Sequence, residues 1–216
     1  MRHILVPSLM ALCITACSAS EKHMNQTPEA GLQPVVQERG RAQLNPQPLR
    51  AYEITLLIEN APGPFAVAEG SAQYDVVNED QCGNINAASG TAERITSHEP
   101  VVLTKVGESE YRGTVFLDRM LDADYYGRGT CRWELSAASV VLRATGAETE
   151  TRFQPTIDAR QILAGEPVAL YFWKGGYPRS EMDNYPDSGM DSSEKFRPEI
   201  RNELFKMTLK AQGLQP

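Results

Sequence analysis

Three carboxylates, Asp118, Asp122 and Asp124, precede Gly127 at a spacing that suits an oxygen-seeking cation such as calcium. The pattern breaks twice. Tyr126 stands where another oxygen ligand is needed, and Trp133 stands where a bidentate carboxylate should close the site. Glu134, one place later, belongs to a run that reads as a strand. The expectation is therefore a turn of solvated carboxylates with packed tyrosines and no bound metal. Phe172 to Asp191 offers different chemistry, with Trp173, Tyr177 and Tyr185 interleaved with Arg179, Asp183 and Asp187. Rigid aromatic rings beside charged groups supply contact area at low entropic cost, the make-up of partner-binding surfaces. The stretch belongs to an interval of about thirty residues without periodicity, between the runs ending at 173 and beginning at 204, longer than loops in compact domains usually run. It reads as a partner-binding loop, with a cover over one end of the fold as the competing reading.

Covalent catalysis has little to work with here. A nucleophile needs a base within hydrogen-bond reach, and from residue 51 onward the only histidine is His98, placed between Ser97 and Glu99 in what reads as an exposed turn. No Gly-x-Ser-x-Gly elbow occurs. Asp and Glu are numerous enough to supply a glycosidase pair, but abundance alone does not place two of them together. No phosphate loop, dinucleotide fingerprint or haem motif is present, so no cofactor is implied. The formal charge of −7 disfavours a surface for nucleic-acid phosphates. The expectation is a protein that is not an enzyme.

The amino terminus specifies an address. Met1-Arg2-His3 is a short basic head, Ile4 to Thr15 is apolar apart from Pro7 and Ser8, and Ala16 is a small residue before Cys17. The apolar run is shorter than the ~20 residues of a spanning helix, which marks it as a cleaved signal peptide over 1–16. Ile14-Thr15-Ala16-Cys17 resembles the lipobox of bacterial lipoproteins, a resemblance confined to the first eighteen residues. It implies that Cys17 is acylated and begins the mature chain, and Ser18 after it implies the outer membrane of a Gram-negative cell, facing the periplasm. Two or more acyl chains, at about 0.8 kcal/mol per buried methylene, make the lipid anchor sufficient for membrane attachment. Residues 17–50, with Pro28, Pro34, Pro46 and Pro48 and few aliphatics, read as a flexible Pro/Gln-rich tether.

Residues 51–216 form the folded domain. Of the formal −7, residues 1–50 contribute +2, which leaves −9 for the domain. Cys82 and Cys131 remain in it, and an oxidising compartment predicts a disulfide between them. Apolar residues return at period two or in short β-rich runs: 52–58, 73–77, a hairpin of 101–106 and 111–117, 131–144 with a bend or bulge at Ser136-Ala137-Ala138-Ser139, 150–157, 168–173 and 204–209. One short helix is predicted at Asp158–Gly165, with an N-cap residue and a terminal glycine. This pattern predicts an all-β, antiparallel β-sandwich, and an immunoglobulin-like arrangement fits, with Trp133 filling the core near the disulfide.

The functional expectation is a lipid-anchored module that binds a protein partner in the periplasm. Its sharper form is an inhibitor or immunity protein against a toxin or cell-wall hydrolase, with the −9 charge steering a cationic partner toward it. A structural or assembly lipoprotein of an envelope machine is the alternative, and a carboxylate-dependent envelope hydrolase is the third.

Overall fold

The computed structural model describes residues 42–215. The signal peptide, the lipobox with Cys17 and all of the tether before residue 42 lie outside the described residues. In β1 (Ala51–Glu59) Ile54, Leu56 and Ile58 are buried while Leu57 between them faces out, the period of two that pleating imposes. β1 is the centre of the first sheet, paired antiparallel with β5 (Glu110–Phe116) and β11 (Leu204–Gly213). β4 (Leu103–Lys105) and β9 (Val168–Trp173) complete it in the order β4-β5-β1-β11-β9. The second sheet centres on β2 (Val67–Val76) and β6 (Trp133–Arg143), with β3 (Thr96–Val101) on one side and β7 (Arg152–Phe153), β8 (Thr156–Asp158) and β10 (Pro186–Asp187) on the other.

The sheets meet through an aromatic cluster. Phe153 from the second sheet lies 5.7 Å from Phe172 and 5.3 Å from Phe205 of the first, edge to face in both cases, and Phe65 packs on the same group. Such pairs add about 1 kcal/mol each beyond the area they bury. The chain is an all-β sandwich of two largely antiparallel sheets, as the alternation implied; the one parallel pair is β7 with β10.

Several elements differ from the sequence reading. The 101–106 run is divided: β3 ends at Val101 in the second sheet, Val102 is 85% exposed, and β4 begins at Leu103 in the first. β2 starts six residues before Gln73. His98 stands in β3 opposite Gln73 rather than in a turn. The expected irregularity in β6 is a bulge at Ser136, which has no partner between the Gln73–Ala137 and Tyr74–Leu135 pairs. Its hydroxyl donates to Asp75, which also accepts from Thr96 at 2.5 Å and from Gln73 and Arg94. Partial burial works against the charge on Asp75, but these donors outweigh it and hold the carboxyl well below its ordinary range. The predicted helix is present as α2 (Ala159–Ala164); Asp158 accepts from the Gln161 N–H at 2.8 Å, the Gln161 side chain accepts from the Asp158 N–H at 3.0 Å, and Gly165 closes the end at φ 66°. A second helical turn, α1 (Glu79–Cys82), carries the first cysteine.

The disulfide is formed, with 5.2 Å between the Cα atoms of Cys82 and Cys131. It ties α1 to the segment leading into β6, whereas in immunoglobulin domains the bridge joins two strands. Trp133 is buried beside it, 6.4 Å from Tyr125. No helix among the described residues is long and apolar enough to cross a membrane.

Candidate interaction surface

The three acidic residues of the cation-like motif are each taken up by backbone donors. Asp118 accepts from the amides of Leu49 and Arg50, both at 3.0 Å. It thereby straps residues 42–50, read from sequence as the end of the tether, onto the domain alongside the Leu44–Met120 bridge. Asp122 accepts from the Trp133 amide at 2.9 Å, and Asp124 accepts from Gly127 at 2.7 Å and Arg128 at 3.0 Å. The three carboxylates thus serve three separate backbone sites. Among the described residues no three His, Cys, Asp or Glu side chains converge as a metal site.

The segment from Trp173 to Glu203 is an ordered collar fastened to the sandwich by long-range bonds. Thr151, fully buried, is its central fastener: its hydroxyl donates to the Gly176 carbonyl at 2.7 Å and accepts from the Ser180 amide at 2.9 Å, while its own amide donates to the Pro178 carbonyl. The Tyr177–Pro178 peptide between them is cis. Further on, the Arg152 and Gln154 amides donate to the Tyr185 and Asp187 carbonyls, and the Tyr171 and Met190 amides each donate to the other's carbonyl along the edge of β9. Beneath this lies the 144–150 loop. Buried Glu150 accepts from the Thr145 amide and hydroxyl and from the Gly146 amide, while Arg143 donates to Asn184 Oδ1 at 3.0 Å. Burial opposes ionisation of Glu150, yet these donors bring its carboxyl below the ordinary value.

The collar sorts the expected contact residues into different places. Tyr177 is half-buried and packs against the core: its ring is 5.5 Å from Phe65 and 6.5 Å from Phe153, and its hydroxyl donates to the Pro64 carbonyl at 2.5 Å. Burial, with the Glu150 carboxylate nearby, pushes that hydroxyl's pKa up. Asp187 is also turned inward, accepting from the Gly189 amide at 2.9 Å, and burial raises its pKa. Arg179 and Asp183 form an exposed ion pair, with Met182 and Tyr185 beside them in sequence at 63% and 40% exposure. Trp173 stands apart, pointing outward from the first sheet opposite Leu204. The collar is thus both a cover and a display surface. The residues that position it include Arg143, Glu150 and Thr151, missed in sequence because 131–144 and 150–157 read only as strands, and Asn184. Asn184 alone carried a signal, in an Asp-Asn pair suited to its left-handed φ of 55°.

Thr151→Val keeps the side-chain shape but removes the hydroxyl, leaving the Gly176 carbonyl and the Ser180 amide without their partner. It is expected to destabilise the protein by about 1–3 kcal/mol. Denaturant titration checks the magnitude, and amide exchange should show the Ser180 N–H losing protection before the amides of β1.

No protein-family model matches the chain, and no curated protein or solved structure matches it either. Function has to be read from the surface itself.

Proposed function

We propose that this protein is a lipid-anchored, periplasm-facing binding module of the outer membrane, and that it works as an inhibitor or immunity-type lipoprotein rather than as an enzyme. Its partner is a cationic toxin or cell-wall hydrolase, seated on the exposed part of the collar around Arg179, Asp183 and Tyr185. The observation that carries this reading is the fastening of the collar by Thr151, Arg143 and the β7–β10 pairing. A loop already held in one shape loses little entropy on binding, so more of its contact energy becomes affinity. The formal −9 of residues 51–216 adds long-range attraction for a basic partner.

The test is a titration of the mature acylated protein, in detergent, against a panel of basic lysozymes and peptidoglycan amidases, reading both inhibition and complex formation. One member should be inhibited stoichiometrically, and Tyr185→Ala should weaken that complex by more than about 1 kcal/mol. Absence of any inhibition or complex at micromolar concentration would end the inhibitor reading. A stoichiometric complex without inhibition would favour a role in assembly.

A further inference from the structure

The outer face of the first sheet carries an aromatic platform distinct from the proposed contact residues Arg179, Asp183 and Tyr185. Register places Trp173 opposite Leu204, and Tyr171 opposite Lys206, which in turn faces Glu59. The neighbouring strand residues Phe172, Phe205, Met207 and Ile58 are buried, so these side chains all point away from the core. Trp173 and Tyr171 are therefore neighbours on one face, about 7 Å apart along the strand. Beyond Tyr171, Met190 continues the row, 46% exposed, and the next row is the low ground of Ala169 and Thr208.

Trp173 is held flat. A Cβ on Gly175 would collide with the six-membered ring of the indole, so the ring lies directly on the glycine backbone, and a side chain at 175 would lift it. The indole N–H faces Glu203 Oε2 at 3.4 Å, a long hydrogen bond. One ring face is thus covered by backbone and the residue remains 36% exposed. Charged groups stand around the rings: Glu203, and the Glu59–Lys206 pair at 2.7 Å.

We infer that this face is a glycan-binding site, with Trp173 and Tyr171 stacking on the C–H faces of pyranose rings while Glu203, Glu59 and Lys206 pair with their hydroxyls. The electron-rich face of an aromatic ring attracts polarised C–H groups. The charges decide the class of ligand. A dry apolar ligand would leave Glu203, Glu59 and Lys206 desolvated with no new hydrogen-bond partners. A polyhydroxylated ligand presents an apolar face and a rim of hydrogen-bonding groups at once, which matches rings and carboxylates set side by side on an open sheet. Tyr185 is bonded beside β7 of the second sheet, whereas Trp173 and Tyr171 stand on β9 of the first, so the site does not depend on the proposed protein partner.

The experiment uses the mature acylated protein in detergent, titrated with chitohexaose and cellohexaose and incubated with isolated peptidoglycan sacculi. Tryptophan fluorescence reports the soluble probes, and Trp133, being buried, contributes a constant background. A saturable change below about 1 mM is expected for at least one hexamer, or co-sedimentation with sacculi. Trp173→Ala should weaken that binding about tenfold or more, while Trp173→Phe, which keeps a stacking ring, should retain most of it. Tyr185→Ala should leave glycan binding unchanged, which separates this site from the collar. The inference is overturned if no probe binds, if Trp173→Ala binds as well as the parent, or if sedimentation shows the face occupied by a second copy of the chain.

Discussion

Replacing Tyr177 by Ala is expected to lower the free energy of unfolding by about 2 kcal/mol, less than emptying a fully buried aromatic site costs, because the ring is half-buried against the core. Tyr185→Ala is expected to leave stability within about 0.5 kcal/mol, as exposed positions do. The two tyrosines lie eight positions apart in one aromatic-acidic stretch and look alike in sequence, yet their surroundings differ. The Tyr177 ring packs on Phe65 and Phe153, which also touch each other, and its hydroxyl satisfies the Pro64 carbonyl. Truncation removes the packing, opens space beside two rings and orphans a carbonyl. Tyr177→Phe separates the contributions: it keeps the ring and loses only the hydrogen bond, for about 1 kcal/mol. Denaturant midpoints for the three variants, at unchanged slope, check the ordering. A Tyr177→Ala protein as stable as the parent would remove the residue from the core and return it to the contact surface.

The contrast between these residues shows what sequence can convey. Elements whose signal is local were legible: the alternation in β1 and β11, the β-rich run of β9, and the Asp158–Gln161 capping box of α2. What escaped depended on distant partners. The first half of β2, with Gly70 and Ser71, lies outside the predicted run of 73–77. A Cβ at Gly70 would approach the Val101 carbonyl to 2.6 Å, so the glycine is there to let β3 come close. β10 is two residues long and exists only because β7 lies beside it. Asp118 looked like a metal ligand because a carboxylate that accepts backbone amides has the same composition as one that coordinates a cation. In the collar, aromatic content was visible, but which rings face inward was set by Thr151 and by the 144–150 loop, and neither announces itself by residue type.

Removing the disulfide should have the larger effect on the whole molecule. Cys82 and Cys131 are 49 residues apart, and closing a loop of that length restrains the unfolded chain by about 4 kcal/mol on the chain-entropy account. The loop so closed contains β3, β4 and β5, strands from both sheets, so its loosening affects the entire sandwich. The double variant Cys82→Ala/Cys131→Ala should therefore melt well below the parent, and reductant should destabilise the parent by a similar amount. A second fastener grips the same junction: buried Asn78, preceding α1, donates to the Thr130 carbonyl at 3.0 Å and accepts from the Arg132 amide at 2.8 Å. Two restraints on one junction cannot act independently. Asn78→Ala in the parent leaves the Thr130 and Arg132 groups held in place by the adjacent Cys131 bridge. In the cysteine-free protein those groups are free to move to water. A double-mutant cycle should thus show a coupling of about 0.5 kcal/mol or more between the bridge and Asn78. Strict additivity would mean that the disulfide acts only through the unfolded chain. An unchanged midpoint with two titratable thiols in the native parent would mean that the bridge does not form.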